Sequence, residues 1–279
     1  MLNDLHIHTT YSDGAFTPDE IIEMAREKGI RYISITDHDT MGAYGNFNAD
    51  HEDLTIITGV EVSTYYRGLE LHILSYFHDP YDETLLALLD RFKTDRVERY
   101  HKILRNLEDL DILLPDEAPP QDSYGRAHIA KLLIEHGYVK NIKEAFNVYL
   151  DVDKIAYEKR YKIDTREALK ALRDAGGIPV LAHPGEKLYN LHFEQLLAEL
   201  KVHGLLGLEV YHPSHRKELS NKFYALAKKH RMVISGGSDF HGQLDLKKNS
   251  FNDRLGRFGL NEHLMMKLII YNRNLKKIK

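Results

Sequence analysis

The sequence predicts an α/β protein built on a largely parallel sheet or barrel, and three observations predict it. Short apolar strands alternate with segments of helical periodicity, which is the rhythm of βα units. Seven such strands are countable, and each carries a His, Asp or Glu at or near its C-terminal end. In parallel α/β architectures that end holds the site, whereas chance would scatter these residues over both ends and the helices.

The opening stretch, Asp4-Leu5-His6-Ile7-His8, alternates apolar and polar side chains, so both imidazoles share one face at the end of a strand. Tyr11 to Gly14 then turn sharply and carry the Asp13 carboxylate back towards them. Two imidazoles and a carboxylate suit Zn, Mn or Fe. A solvated edge strand with incidental histidines would look the same, so the rest of the chain decides. Thr17-Pro18-Asp19-Glu20 is a helix start, with a Thr cap, Pro at the first position and acids in the first turn. The helix expected over 18–28 buries Ile21, Ile22, Met24 and Ala25, and Gly29 stops it. Strand 32–36 ends in Asp37-His38-Asp39, strand 54–60 in Glu61, and strand 69–77 contains His72. From about 81 to 175 convincing strands give out and helices are expected over 81–110, 127–136, 142–149 and 165–175, with a loop at 114–122. The core of this block, 82–160, reads as a helical insertion, leaving 1–81 and 161–279 as the α/β domain. Strands resume at 177–182, 205–211 and 232–238, ending in His183, His212 and Asp239-Phe240-His241. Helices near 193–202 and 216–230 connect them, and the basic stretch 272–279 reads as a solvated end.

Composition narrows the chemistry. The 279 residues carry a net charge of −4, which gives no basic footprint for tight non-specific nucleic-acid binding, though a pocket for one nucleotide is compatible with it. Cysteine is absent, so any metal site must use N and O ligands. The ligand strand starts almost at residue 1 and no apolar run approaches ~18 residues, so a cytoplasmic protein without a signal peptide or membrane partner is expected. The 17 histidines are unusual. Those at 101, 136, 192, 203 and 230 fall on helical or peripheral stretches and read as structural or solvated.

Taken together, His6-x-His8, Asp13, Thr36-Asp37-His38, Gly59-Val60-Glu61, His72, Ala182-His183-Pro184 and Ser238-Asp239-x-His241 resemble the PHP (polymerase and histidinol phosphatase) superfamily, from residue 1 to about 242. The resemblance implies a distorted (β/α)7 barrel of the PHP type whose nine ligand positions are His6, His8, Asp13, His38, Glu61, His72, His183, Asp239 and His241. It further implies that His6, His8, Glu61 and Asp239 hold one metal, that Glu61 bridges to a second on His72 and His183, and that Asp13, His38 and His241 hold a third. Two or three divalent ions are the implied cofactors, with Mn expected and Fe or Zn suited to the same donors. Three ions would carry an excess of about three positive charges over the three carboxylates, so the site would seek an anion such as a phosphomonoester. Asp37 flanks a ligand and is either an orienting group or a plain turn carboxylate.

A narrower likeness rests on Gly125-Arg126-Ala127-His128-Ile129-Ala130, Ala156-Tyr157, Glu209-Val210-Tyr211-His212 and Ser238-Asp239-Phe240-His241-Gly242, which are similar to the TrpH-like branch. That branch includes 3′,5′-nucleoside bisphosphate phosphatases and 5′-to-3′ exoribonucleases. Its members usually have Arg-Pro-His where this chain has Arg126-Ala127-His128, and often Val-Pro where Glu158-Lys159 stands. The implied reaction removes the 3′-phosphate of a nucleoside 3′,5′-bisphosphate. The alternatives are trimming of short 5′-phosphorylated RNA and histidinol phosphate hydrolysis. A second phosphate calls for a separate cationic clamp, preferably arginine. Arg96, Arg99, Arg126, His128 and Lys159 in the insertion are candidates for this substrate wall, although Arg96 and Arg99 beside Asp95 and Glu98 equally describe a salt-bridged helix surface. Tyr157 or Tyr161 would stack on a base or simply pack. His212 would touch phosphate, protonate the leaving oxygen or orient a ligand, and Asp13 and His241 join it as candidate catalytic groups.

Overall fold

The computed structural model describes residues 2–47, 51–117, 125–186, 188, 192–242, 244–245, 250–251 and 254–278. Two units emerge from it, one formed by 1–89 with 162–279 and the other by 90–161.

In the first unit, β1 (Asp4–Ile7), β2 (Tyr32–Ile35) and β3 (Thr55–Ile56) form a parallel sheet in that order. Helix α1 (Pro18–Glu27) crosses between β1 and β2. Its start carries the expected Thr17 cap, completed as a capping box: the Glu20 amide donates to Thr17 Oγ1 at 3.3 Å and the Thr17 amide to Glu20 Oε2 at 2.7 Å. Gly29, at φ +65°, ends it. Ile21, Ile22 and Ala25 are buried against Ile7, Ile30, Ile33 and Phe240. Each isoleucine buried in this way contributes about 2–3 kcal/mol.

The second sheet runs β6–β4–β5–β7–β8–β9. Its members are β4 (Gly59–Tyr66), β5 (Leu69–Tyr76), β6 (Ile163–Asp164), β7 (Ile178–Leu181), β8 (Gly207–Tyr211) and β9 (Val233–Gly236). β7, β8 and β9 are mutually parallel, with α6 (Phe193–Val202) and α7 (Lys217–Lys229) as crossovers. The sheet is largely parallel, as expected, with one exception at β5, which is antiparallel to both β4 and β7. The cause is a two-residue hairpin, Arg67-Gly68, whose φ values of +48° and +85° both lie in the left-handed region. That is the turn whose twist matches paired antiparallel strands. Because β5 runs backwards, His72 comes from its first half instead of its C-terminal end.

Chain 55–66 passes from the first sheet into the second, and Gly59 sits at the transfer. A Cβ there would lie 2.0 Å from Ser34 Oγ, so β2 and β4 approach this closely only across a glycine. Glu61 therefore lies near the start of β4, where the expected strand 54–60 would have put it just past an end. Isolated bridges Ile7↔Phe240 and His38↔Glu61 join the ends of the two sheets. Helix α5 (Thr165–Asp174) precedes β7, and a short antiparallel pair, β10 (Leu244–Asp245) with β11 (Ser250–Phe251), follows β9. The basic end is no solvated tail: it is the last part of α8 (Glu262–Ile278), where Met265, Leu268 and Leu275 pack with Leu5, Leu74, Ile178 and Val180.

The second unit holds most of α2 (Glu83–Glu108), together with α3 (Arg126–Glu135) and α4 (Ile142–Ala145). The helix expected over 142–149 breaks after one turn into a π-helical turn, Phe146–Leu150. Tyr100, Ile103, Leu107, Ile129, Leu133 and Leu150 form its core. Of the loop expected at 114–122, residues 118–122 lie outside the described residues. Among the described residues no helix is long and apolar enough to cross a membrane.

Candidate metal centre

The site grows out of strand ends in the first unit. Period-two alternation on β1 puts His6 and His8 on one face, both fully buried, with ring centroids 5.2 Å apart. Gly237, just beyond β9, makes room for them: a Cβ there would lie 2.3 Å from His6 Cβ. Asp4 fastens the same junction, accepting from the Ser238 and Gly256 amides at 2.9 Å each. Burial pushes its carboxyl up to about 6.

Glu61 is the hub. Its Oε2 lies 3.3 Å from His6 Nε2, 3.3 Å from His8 Nε2 and 3.0 Å from His38 Nδ1. Its Oε1 lies 3.1 Å from His72 Nδ1 and 2.9 Å from His183 Nε2. Asp239 Oδ1 closes the other side, 3.3 Å from His6 Nε2 and 3.2 Å from His8 Nε2. At the more open edge Asp13 Oδ1 is 3.2 Å from His241 Nε2 and Asp13 Oδ2 is 3.9 Å from His38 Nε2. All nine side chains singled out in the sequence thus come together at one place. Four of them, His8, Asp13, His38 and His241, offer ligand atoms within 4.8 Å of one another, and so do His6, Glu61 and His183.

Local structure holds these groups in place. Asp37, buried, accepts from the Thr9 amide at 2.7 Å, Thr9 Oγ1 at 2.6 Å and Ser12 Oγ at 2.6 Å. It is the anchor of the loop that carries Asp13. His183, Asp239 and Asp39 are non-glycine residues at φ +24°, +49° and +54°. Backbone in this region costs of order 1–3 kcal/mol and persists where surrounding bonds over-determine it. For Asp39 those bonds come from the Ser63 amide at 2.6 Å and Ser63 Oγ at 3.1 Å.

Burial alone would push the Glu61 carboxyl up, but His38, His6 and His72 outweigh it and hold it well below the carboxylate range. Burial opposes ionisation of Asp239 and Asp13 as well, and neighbouring imidazoles again prevail: His6, His212 and His8 for the first, His38, His241 and His8 for the second. Burial pushes His38 down to about 4. For His8 and His72 burial acts the same way, but the carboxylates overcome it and raise both to about 10. Three carboxylates, with Glu61 fully buried, Asp239 half-buried and Asp13 at the open edge, thus draw cationic charge into the pocket, as protons or as metal ions. His6 Nε2, His8 Nε2 and Glu61 Oε2 are buried, face one another and lack a hydrogen-bond partner, as a ligand set for a cation would. The thiolate-free donors fit Mn, Fe or Zn.

The remaining candidates fall into two places. His212 borders the centre, with Nε2 3.5 Å from Asp239 Oδ2, and its Nδ1 accepts from the Ser214 amide at 3.1 Å. The cationic candidates lie in the second unit. Arg99 is 6 % exposed, and burial followed by the charge of Arg160 lowers it to about 10; Arg126 and Arg96 act in the same sense, against Asp95. Arg126 donates to the Leu150 carbonyl at 2.8 Å, an acceptor presented by the π-helical turn, and lies over the Phe146 and Tyr157 rings. Tyr157 is thereby a packing residue, and Tyr161, in contact with Phe92 and Arg91, is another. His128 Nε2 is buried without a partner, whereas Lys159 is exposed. Two groups were given no role from the sequence, although Glu209 stood in one of the motifs of the narrower likeness. Arg160 stood in a charge run with no periodicity to mark it. Glu209 did leave a signal, a lone acid inside the apolar strand Leu208-Glu209-Val210.

A PHP domain model matches residues 4–178. The chain is 31% identical over 246 residues to a 3′,5′-nucleoside bisphosphate phosphatase of Chromobacterium violaceum, covering 85% of this chain and 86% of that one. It is 32% identical over 259 residues to a 5′-3′ exoribonuclease of Haemophilus influenzae, covering 88% and 93%. A crystal structure from Bifidobacterium adolescentis, described as a metal-dependent phosphoesterase, superposes with a TM-score of 0.79 at 26% identity over 96% of this chain and 95% of that one. The chain belongs to the PHP domain family. Its activity class is that of a metal-dependent phosphoesterase.

Proposed function

We propose that this protein hydrolyses the 3′-phosphate of nucleoside 3′,5′-bisphosphates, leaving the 5′-monophosphate. The observation that carries the reading is the gathering of nine metal-type ligands around Glu61, which suits hydrolysis of a phosphomonoester. A second phosphate needs a cationic grip of its own, and Arg99, a buried guanidinium in the positive field of Arg96, Arg126 and Arg160, is the candidate for it. The bisphosphate phosphatase relative supports the same substrate. The two sheets, bridged at Ile7↔Phe240 and His38↔Glu61, support reading the scaffold as the distorted seven-stranded barrel.

In this reading His6, His8, Glu61 and Asp239 hold one metal, Glu61, His72 and His183 a second, and Asp13, His38 and His241 a third. Bound divalent ions supply a hydroxide near neutral pH and clamp the phosphoryl oxygens. Asp13 and His241, in mutual contact at the open edge, would through the metal they hold orient the attacking water beside the phosphoryl group, which passes to the water oxygen. His212, whose Nδ1 is an acceptor for the Ser214 amide, carries its proton on Nε2 and presents it beside Asp239 to the leaving 3′-oxygen. Arg96, Arg99, Arg126, His128 and Lys159 are the candidates for gripping the 5′-phosphate.

A second reading keeps this chemistry and lengthens the leaving group to RNA, and the exoribonuclease relative favours it. The test is phosphate release by Mn-loaded protein from adenosine 3′,5′-bisphosphate, histidinol phosphate and a short 5′-phosphorylated RNA. The proposal expects the bisphosphate to be preferred. Arg99→Ala should then raise KM for it at least tenfold while leaving KM for a generic aryl phosphate within about twofold, since one charge-assisted contact is worth roughly 1.5–3 kcal/mol. Preference for stepwise mononucleotide release selects the second reading, and preference for histidinol phosphate overturns both.

A further inference from the structure

Glu209 has no part in the nine-ligand set, yet it touches two of its members. It sits in the middle of β8 between Leu208 and Val210, all three fully buried. A carboxylate in such a strand costs several kcal/mol unless its oxygens are satisfied. Both are. Oε1 lies 3.0 Å from His6 Nδ1, and Oε2 accepts from the His183 backbone amide at 2.6 Å.

We propose that Glu209 is the positioning residue that sets His6 and His183 as ligands and couples the metal subsite on β1 to the one at the end of β7. This assignment rests on the metal-centre reading above. Two consequences follow from the two oxygens. A carboxylate only accepts, so Oε1 keeps a proton on His6 Nδ1 and leaves the Nε2 lone pair aimed between Glu61 Oε2 and Asp239 Oδ1, each 3.3 Å away. Nε2 is buried without a hydrogen-bond partner, as a nitrogen prepared for a cation would be. Oε2 acts on backbone instead of a ring. His183 is held at φ +24°, and Pro184 brings no amide of its own to help. The short bond to Glu209 holds that strained backbone and thereby aims His183 Nε2 at Glu61 Oε1, 2.9 Å away.

The geometry makes glutamine an informative replacement. The His183 amide can only donate, so the single side-chain oxygen that remains in E209Q must face it. The new NH2 group then faces His6 Nδ1 and forces the His6 proton onto Nε2, where the metal should bind. E209Q preserves volume and should fold, which circular dichroism and urea unfolding would report. Calorimetric titration with Mn2+ should give a dissociation constant raised 10–100-fold over the wild type, the usual scale for an orienting partner. In wild-type protein loaded with diamagnetic Zn2+, 15N-resolved NMR should show a slowly exchanging Nδ1 proton on His6. That spectrum needs no variant, so it stands even where E209Q fails to fold. Wild-type Mn2+ binding with E209Q within twofold overturns the Glu209 assignment alone, as does a His6 that carries zinc on Nδ1. Wild-type protein that takes up neither ion overturns the metal-centre reading, and this assignment with it.

Discussion

Gly237 shows how tightly the centre is built at the scale of single residues. The backbone that leaves β9 for Asp239 passes so close to His6 that an added methyl would lie 2.3 Å from His6 Cβ and 2.4 Å from its amide nitrogen. His6 sits between Glu209, Glu61 and Asp239, so a forced shift of its ring disturbs all three contacts at once. Gly237→Ala is therefore expected to lose about 1–3 kcal/mol to overpacking and to weaken Mn2+ binding in the same protein. Urea unfolding and metal titration would check this, and wild-type behaviour in both would contradict the packing. The histidines and acids of the centre were legible in the sequence because they recur at strand ends, a regularity that follows from backbone alternation. Glu209 was not, because its meaning depends on which backbone amide passes over it, and no spacing rule reports on residues 26 and 203 positions away.

Among the elements, β5 departs furthest from the parallel pattern, and its reversal depends on two residues. Arg67 and Gly68 both adopt positive φ, and nothing lies within 4 Å of where a Gly68 Cβ would point. The cost of Gly68→Ala is then purely conformational, about 1–2 kcal/mol for a residue forced into the left-handed region. The expected result is a lower urea midpoint with unchanged metal affinity, the opposite balance from Gly237→Ala. Loss of metal affinity here would mean that the hairpin also positions His72 directly. A Gly two residues past one alternating run and just before another is a hairpin signal. It was present in the sequence, but the strength of the βα rhythm on either side hid it. Helix α1 was legible down to its cap because its signals are local. Helix α8 was not, since its lysine-rich end looks solvated until Leu275 is seen to pack beside Met265 and Leu268.

For the whole molecule, stability depends on pH through groups that the centre does not contain. His78 lies between β5 and α2, 2 % exposed, with Nε2 3.3 Å from Met41 Sδ and Nδ1 buried without a partner. Burial pushes it from 6.5 down to about 4, against the pull of Asp79 and Asp82. Above pH 6.5 neither the folded nor the unfolded chain is protonated there, and the full stability is present. As pH falls below that value the unfolded chain takes up a proton that the folded one resists. Stability is lost until the folded imidazole titrates too, a total of about 3 kcal/mol. Leucine at this position would keep the contact with Met41 and remove the titration. The comparison belongs in chelator-treated protein, so that loss of metal at the centre does not enter. Between pH 7 and pH 4.5, wild type should lose about 2–3 kcal/mol more than His78→Leu in urea unfolding, with the variant gaining on it as acid increases. A gap that stays constant across that range would mean that the His78 imidazole titrates alike in the folded and the unfolded chain. The acid sensitivity would then have to come from the carboxylates of the centre.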